Sequence, residues 1–257
     1  MHFTDGELRN LGQTGLRVSP IAFGGVKLGR NTDVKYPDSF SLPDDQSIAD
    51  LLSTAANLGI NLIDTAPAYG ASEARIGALL PGKREDWIIS SKVGEFYQHN
   101  VSSYDYSREA IGQSVARSLR DLRTDYLDLL LLHSDGNDLE ILSNTDALEC
   151  IHRLKEKGDV RAIGISAKTL AGADLALQSC DVIMVTLNCD DTSHLPVIAR
   201  AHELGIGVLL KKVLGSGHIP PEKSLQFALS QAGVHSAVIG TLNSEHLKDN
   251  VRIAKGI

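Results

Sequence analysis

Short apolar runs alternate with amphipathic segments along the chain, and this alternation restricts the fold more than any other feature. Most runs are apolar nearly throughout, which is typical of strands that are covered on both faces. In SIADLLSTAANLG, by contrast, apolar residues recur at helical spacing and Gly59 marks a helix end. This strand-then-helix order occurs eight times and predicts a parallel sheet with right-handed crossovers. The eight runs are VSPIAFGG, INLIDTA, WIISSKVG, LDLLLLHS, RAIGIS, DVIMVTLN, GVLLKKV and SAVIGT.

Two α/β architectures fit this order, a closed barrel and an open doubly wound sheet. The count of eight favours the barrel, and no GxGxxG motif follows the first strand as a doubly wound dinucleotide-binding sheet would require. We therefore predict a (β/α)8 TIM barrel that forms a single domain over residues 1–257. The opening segment RNLGQTGLRVS, with turn residues Gly12 and Gly15, predicts a small hairpin that closes the N-terminal end of the barrel.

Helix boundaries can be read from capping residues. Ser107 precedes the periodic segment REAIGQSVARSLRDL and is expected to cap its N-terminus. Two later segments, ALECIHRLKEKG and HLPVIARAHELG, end at Gly158 and Gly205. A glycine just beyond the last periodic residue predicts a left-handed helix end at both places.

Charge and composition exclude several classes of partner. The formal net charge is −7 and no run of Lys and Arg interrupts the acidic surface, so we expect no nucleic-acid binding. The most apolar stretch, YLDLLLLH, is too short to cross a bilayer. The N-terminus is polar, and the three cysteines are an odd number without CxxC spacing. These features predict a cytoplasmic location with reduced, buried cysteines. The oligomeric state stays open.

Four polar residues lie where predicted strands end. Asp64 closes the second strand and Tyr69 follows in its loop, whereas Lys92 closes the third strand and His133 the fourth. In a (β/α)8 barrel the chemistry takes place at the carboxyl ends of the strands, where the following loops converge. The four side chains should therefore face one cavity.

The chemistry of these four side chains suits proton donation. An unperturbed phenol has a pKa near 10, and an ammonium group nearby favours the phenolate and lowers that value. A half-buried ammonium needs a counter-charge, which Asp64 can supply to Lys92. An imidazole next to the phenol can orient a carbonyl oxygen and stabilise the charge that develops on it. The set predicts Tyr69 as a general acid with His133 assisting.

Five segments together resemble the aldo-keto reductases: NLIDTAPAYG, SSKVG, LLLLHS, AIGIS and VIGTLNSEHLKDN. The likeness extends from about Leu11 to Asn250. It implies a (β/α)8 barrel that binds extended NAD(P)H without a Rossmann domain and transfers hydride to an aldehyde or ketone. By the same resemblance Tyr69 is the general acid, Lys92 and Asp64 tune it, and His133 assists.

The resemblance also implies where the nicotinamide half of the cofactor binds. Ser166 and Asn188 match positions that hold the carboxamide, although Ala167 replaces the usual Asn after the serine. The seventh strand often supplies a stacking aromatic in relatives, but here the run is LLKKVLGSG. Two adjacent lysines there could be surface residues or could neutralise cofactor phosphates. The remaining positions assigned to this half of the cofactor are Gly25, Lys211, Lys212, Gly215 and Gly217.

The last matching segment resembles the part that grips the adenosine half. Gly240, Thr241 and the N-terminus of the following helix would offer backbone N–H groups to a phosphate. Asp249 and Asn250 match the adenine-contacting pair, and His246 replaces an Arg that is common in NADPH-preferring relatives. We expect NADP(H) in preference to NAD(H), although an imidazole binds a 2′-phosphate less well than a guanidinium.

Other interpretations of the same residues remain. A barrel lyase or aldolase could form a Schiff base on Lys92, Lys211 or Lys212. A redox-sensing regulatory protein could keep the fold and cofactor without turnover. Asp135 and Asp138 lack the His spacing of a metal site, so no metal is expected. The polar insert after the first strand, residues 29–45, could form a lid or rim over the substrate, a small-molecule carbonyl compound.

Overall fold

A computed structural model describes residues 2–256 and shows a closed parallel barrel of eight strands, which confirms the predicted fold. The order around the barrel is β3-β4-β5-β8-β9-β10-β11-β12, with β12 paired to β3. The remaining strands form two separate hairpins, β1 with β2 and β6 with β7. The strands are β1 (Arg9–Asn10), β2 (Arg17–Val18), β3 (Ile21–Gly24), β4 (Leu62–Asp64), β5 (Ile88–Val93), β6 (Glu95–Gln98), β7 (Val101–Tyr104), β8 (Leu127–His133), β9 (Val160–Ser166), β10 (Val182–Thr186), β11 (Gly207–Lys211) and β12 (Ser236–Ile239).

Helices cover the outside of the barrel and end largely where the sequence predicts. The Ser107 hydroxyl accepts a hydrogen bond from the Ala110 N–H at 3.3 Å, and Gly158 and Gly205 are left-handed helix ends. The helices are α1 (Val26–Gly29), α2 (Asp45–Asn57), α3 (Ser72–Leu79), α4 (Arg108–Leu122), α5 (Asp138–Asn144), α6 (Ala147–Lys157), α7 (Leu170–Ala176), α8 (Leu195–Leu204), α9 (Pro221–Leu229) and α10 (Ser244–Ala254).

The strand residues are buried on both faces because they separate two apolar cores. One core packs the outward strand residues against the helices, and the other fills the barrel interior with residues such as Leu62, Leu131 and Met184. This division explains why the strand sequences are apolar nearly throughout. No helix within residues 2–256 is both long and apolar enough to cross a membrane.

The predicted N-terminal hairpin is present and closes one end of the barrel. β1 and β2 pair antiparallel, and Leu11, Leu16 and Val18 belong to the interior core. Gly12 has a φ of 53°, and a Cβ there would lie 2.4 Å from the backbone nitrogen of Gly207. The hairpin therefore packs directly on the N-terminal end of β11, and the opposite end of the barrel stays available for chemistry.

A second hairpin was not predicted. β6 and β7 follow β5 directly and pair antiparallel through a turn at His99 and Asn100, which both have positive φ. Its sequence, EFYQHNVSSY, is polar and partly exposed, so it lacks the apolar signal of the barrel strands. β6 packs against the short 3-10 turn Pro67–Tyr69 and so lies over the carboxyl ends of the strands.

Candidate active site

The four candidate catalytic side chains come from neighbouring parts of one barrel end. Asp64, Lys92 and His133 lie at or near the carboxyl ends of the adjacent strands β4, β5 and β8. Tyr69 ends the 3-10 turn that follows β4. Because parallel strands place their carboxyl ends on the same side, side chains 69 residues apart in sequence meet in one mouth of the barrel.

Lys92 and Asp64 form a buried ion pair at the base of this mouth. Lys92 Nζ lies 2.7 Å from both carboxylate oxygens of Asp64 and donates to the Thr65 carbonyl at 2.9 Å. The two side chains are only 2% and 5% exposed. Burial alone would lower the pKa of Lys92, but the carboxylate and its hydrogen bonds outweigh burial and raise that pKa. Lys92 is therefore a fixed positive charge.

Tyr69 lies above this ion pair and next to His133. Lys92 Nζ is 4.8 Å from the centre of the phenol ring, and the rings of Tyr69 and His133 meet edge to face at 6.0 Å. Burial raises the pKa of Tyr69, and the attraction of Lys92 for the phenolate opposes burial without cancelling it. Lys92 lowers the pKa of Tyr69, as expected from the sequence. Burial raises that pKa by more, so the net shift is upward. The phenol stays protonated and can donate.

His133 is held against a buried carboxylate that the sequence analysis missed. His133 Nδ1 lies 2.8 Å from Glu95 Oε2, although its N–H is not directed well enough for a hydrogen bond. Glu95 also accepts from the Ser102 hydroxyl at 2.7 Å and contacts Arg30 at 3.3 Å. Burial lowers the pKa of His133, and Glu95 partly opposes that shift. Glu95 therefore favours the charged, donating form of the imidazole.

The sequence gives only a weak indication that Glu95 belongs to the site, because its hairpin is polar and lacks the pattern of a buried strand. Glu95 directly follows SSKVG, but a charged residue after a strand end usually lies in a solvated loop. Only the fold of β6 back over the barrel mouth buries it to 8% exposure.

Replacing Glu95 with Gln should make the stability of the protein less sensitive to acid. Burial would raise the pKa of Glu95, but His133, Ser102 and Arg30 outweigh it and lower that pKa to about 2. A depressed pKa contributes stability above pH 4.5 and loses it as the pH falls towards 2. Urea unfolding between these limits should show a shallower pH slope for Glu95→Gln, with a difference of up to about 3 kcal/mol.

The exposed carboxylate Glu109 provides the control for this comparison, since its partner in the structure is only the amide of Gln113. The free energy of unfolding of Glu109→Gln should have the same pH dependence as that of the unmodified protein across this pH range. If Glu95→Gln showed that dependence as well, the buried contacts of Glu95 would carry no charge-dependent stability.

The two adjacent lysines after the seventh barrel strand point to different places. Lys211 donates to the Ser166 hydroxyl at 2.9 Å inside the barrel mouth, whereas Lys212 is exposed with a φ of 54°. Burial lowers the pKa of Lys211 to about 7. The resemblance assigns both lysines to the cofactor site, but only Lys212 is exposed enough to suit a phosphate partner.

Asn188 and Gly25 are engaged in local structure. The Asn188 side-chain oxygen Oδ1 accepts from the N–H groups of Asp190 and Asp191, and its Nδ2 donates to the Lys212 backbone carbonyl at 3.0 Å. One amide hydrogen of Asn188 remains for a ligand. At Gly25 a Cβ would lie 2.8 Å from the Ser72 hydroxyl, so that glycine also permits close packing of α3.

The predicted adenosine positions lie together at α10. Asn250 is 2% exposed, and its Oδ1 has no hydrogen-bond partner among the described residues. Asp249 is an exposed neighbour paired with Arg252 at 3.3 Å, and His246 is exposed one turn earlier. A buried, unpaired acceptor is costly and suits a ligand that donates to it. These residues therefore fit the adenosine end of a dinucleotide.

The polar insert partly covers the two glycine-containing loops that are predicted to contact the cofactor. Gly215 and Gly217 have positive φ, and Gly240 is followed by the buried Thr241. Tyr36 of the insert has its hydroxyl 3.1 Å from where a Cβ on Gly240 would be, and Pro37 lies 3.2 Å from that of Gly217. Residues 29–45 thus cross these loops, as a rim over the barrel mouth would.

The acidic residues near the fourth strand have structural partners. Asp138 accepts from the backbone N–H groups of Lys168 and Thr169 and from the Thr169 hydroxyl, which fixes the start of α7. The Asp135 carboxylate accepts from the Asn137 N–H at 2.7 Å. Within the part of the chain that the structure describes, no group of three or more His, Cys, Asp or Glu side chains is arranged to hold a metal ion.

The fold brings the candidate residues together in one mouth of a (β/α)8 barrel, and comparison with known proteins gives the family. The model of the Aldo/keto reductase family matches residues 20–224. The chain therefore belongs to the aldo-keto reductase family, as its sequence motifs predicted, and it is an oxidoreductase. Members of this family use nicotinamide cofactors and act on carbonyl or aldose substrates.

Individual relatives support the same assignment. L-galactose dehydrogenase of Arabidopsis thaliana is 28% identical over 95% of this chain and 87% of its own. A crystal structure assigned to the aldo-keto reductases, from Pseudomonas aeruginosa, is 48% identical with a TM-score of 0.89, over 96% of this chain and 93% of its own. The holo form of aldo-keto reductase AKR11C1 from Bacillus halodurans is 25% identical with a TM-score of 0.83, over 97% of this chain and 91% of its own.

Proposed function

We propose that this protein reduces an aldehyde or ketone to an alcohol with NAD(P)H, NADP(H) being expected in preference to NAD(H), and that Tyr69 is its general acid. The observation that carries the proposal is the buried Lys92–Asp64 ion pair under the phenol. A buried ion pair costs free energy through desolvation, and placing one beneath a largely buried phenol has a clear use in proton transfer.

Each catalytic side chain has one task in this proposal. Tyr69 gives its proton to the carbonyl oxygen as negative charge develops there. Lys92 stabilises the phenolate that remains, and Asp64 keeps Lys92 charged and in place. His133, with Glu95 at its Nδ1, presents Nε2 towards the same oxygen. When bound, the nicotinamide cofactor supplies the hydride.

The chain provides polar groups for both halves of such a cofactor. The Ser166 hydroxyl and the free amide hydrogen of Asn188 suit a carboxamide. The unpaired Oδ1 of Asn250 suits the amino group of adenine. Phosphate contacts are proposed for Lys212, for the backbone of Gly215, Gly217, Gly240 and Thr241, and, for a 2′-phosphate, for His246, with Gly25 and Asp249 at the edges of the site.

Parallel titration with NADPH, NADP+, NADH and NAD+ tests the proposal, followed by a carbonyl panel with the preferred form. We expect one nucleotide pair to bind and its reduced form to lose absorbance only when an aldehyde or ketone is present. Because one relative is named L-galactose dehydrogenase, the panel should include aldoses. Failure of all four nucleotides to bind would refute the proposal. Tight binding without turnover on the panel would favour the redox-sensing alternative.

One observation also supports the Schiff-base alternative. Lys92 is held charged by Asp64, but burial lowers the pKa of Lys211 to about 7, so this amine is partly neutral at neutral pH. Borohydride treatment with carbonyl substrates should leave no adduct on Lys211 if the protein is a reductase. A trapped adduct at Lys211 would support a lyase or aldolase.

A further inference from the structure

Lys211 occupies the wall of the barrel mouth opposite Lys92. In the closed strand order, β11 lies four strands from β5, so Lys211 faces Lys92 across the barrel. Its Nζ reaches Ser166 Oγ at 2.9 Å, next to β8 and His133. An eight-stranded barrel is only wide enough for side chains or one small ligand. A ring that reacts beside Tyr69 therefore shares the mouth with Lys211.

No described carboxylate forms an ion pair with Lys211. Asp138 lies close enough to favour the charged amine, but the other nearby charges are cations that oppose it. The positive charge of Lys211 is therefore poorly compensated in the mouth. The titratable groups that face it are Lys92, His133, Asp138, Lys168, His194 and Lys212.

We propose that Lys211 distinguishes the two redox states of the bound cofactor, because its ammonium weakens binding of the positively charged oxidised nicotinamide relative to the neutral reduced one. This inference rests on the proposed function. A reductase must capture the reduced cofactor and release the oxidised one in each cycle, and a cation at this position favours both steps. Lys212, exposed on the phosphate side, should act on both redox states alike because their phosphates carry the same charge.

The selectivity should depend on pH. Two unit charges about 5–6 Å apart at an effective dielectric constant of about 20 change a binding constant by about 100- to 300-fold. That effect is present while Lys211 is charged and fades as the pH rises through about 7, where burial places its pKa. Burial lowers the pKa of His133, so its imidazole loses its charge at lower pH than Lys211 does.

Fluorescence or calorimetric titration with both redox forms of the preferred nucleotide tests the proposal between pH 6 and 9. In the unmodified protein, the ratio of dissociation constants, oxidised over reduced, should be at least about tenfold at the low end and should fall with rising pH. Lys211→Met should have a small ratio that does not vary with pH. Lys211→Arg, which keeps its charge, should keep a large ratio at every pH and also tests the proposal if the Met variant does not fold.

Two further outcomes separate the alternatives. Lys212→Met should weaken the binding of both redox forms by the same factor and leave the ratio of their dissociation constants unchanged. A pH-dependent ratio that persists in Lys211→Met would assign the effect to a different titrating group and overturn the proposal, as would a ratio near one in the unmodified protein. If neither form bound to any variant, the proposed function itself would fail.

Discussion

Tyr69→Phe should reduce carbonyl turnover by about 10²- to 10⁴-fold and leave the affinity for nucleotide within about twofold. The substitution removes only the hydroxyl that we propose as the proton donor, and the ring keeps its edge-to-face contact with His133. The raised pKa of Tyr69 means that the phenol is protonated over the neutral range, so nearly every molecule of the unmodified enzyme is ready to donate. Steady-state kinetics and nucleotide titration on the same preparation measure the two effects.

Tyr126→Phe is the matched control. Tyr126 directly precedes β8, at the end of the barrel away from the mouth, and its ring stacks on Arg84. Removing its hydroxyl should change neither turnover nor nucleotide affinity. Undiminished turnover in Tyr69→Phe would remove Tyr69 from the mechanism, whereas equal losses of turnover and affinity would make it a binding residue.

Asp64→Asn should lower the free energy of unfolding by about 3–5 kcal/mol, because it leaves the Lys92 ammonium buried without a counter-charge. Lys92 Nζ would keep the Thr65 carbonyl and one amide oxygen as acceptors but lose the negative charge that it now contacts through two oxygens. The pKa of Lys92 should then fall, since burial would no longer be offset. Urea unfolding at pH 7 measures the loss, and turnover should fall with it.

A double variant separates charge from packing in this region. Asp64→Asn with Lys92→Met removes both charges, so most of the lost stability should return while turnover stays low. Glu245→Gln, which breaks the exposed ion pair with Lys248, should cost less than about 1 kcal/mol. If Asp64→Asn cost no more than Glu245→Gln, the pair would not be the buried, charged unit on which the mechanism depends.

The barrel and the position of the four polar residues were predictable because they depend on local patterns. Apolar runs buried on both faces, helix ends at Gly158 and Gly205, and polar residues directly after strands are all visible in sequence. Once the strands are parallel, their carboxyl ends must share one side. The organisation of residues 1–257 as one domain stays a prediction.

Features that depend on tertiary burial were not predictable. Glu95 becomes part of the site only because β6 folds over the mouth, and its polar hairpin carries no apolar alternation. Nothing in the sequence KK says which lysine faces inward, since that depends on where β11 ends. The direction of the pKa shift of Tyr69 likewise depends on how far the effect of burial exceeds the electrostatic effect of Lys92.

A crystal structure of the protein with oxidised nucleotide and an unreactive carbonyl compound would test the central claim most directly. The proposal predicts the ligand oxygen within hydrogen-bonding distance of the Tyr69 hydroxyl, about 2.5–3.0 Å, with Lys92 still paired to Asp64 beneath it. A carbonyl bound away from Tyr69, with the nucleotide outside the mouth formed by β4, β5 and β8, would contradict it.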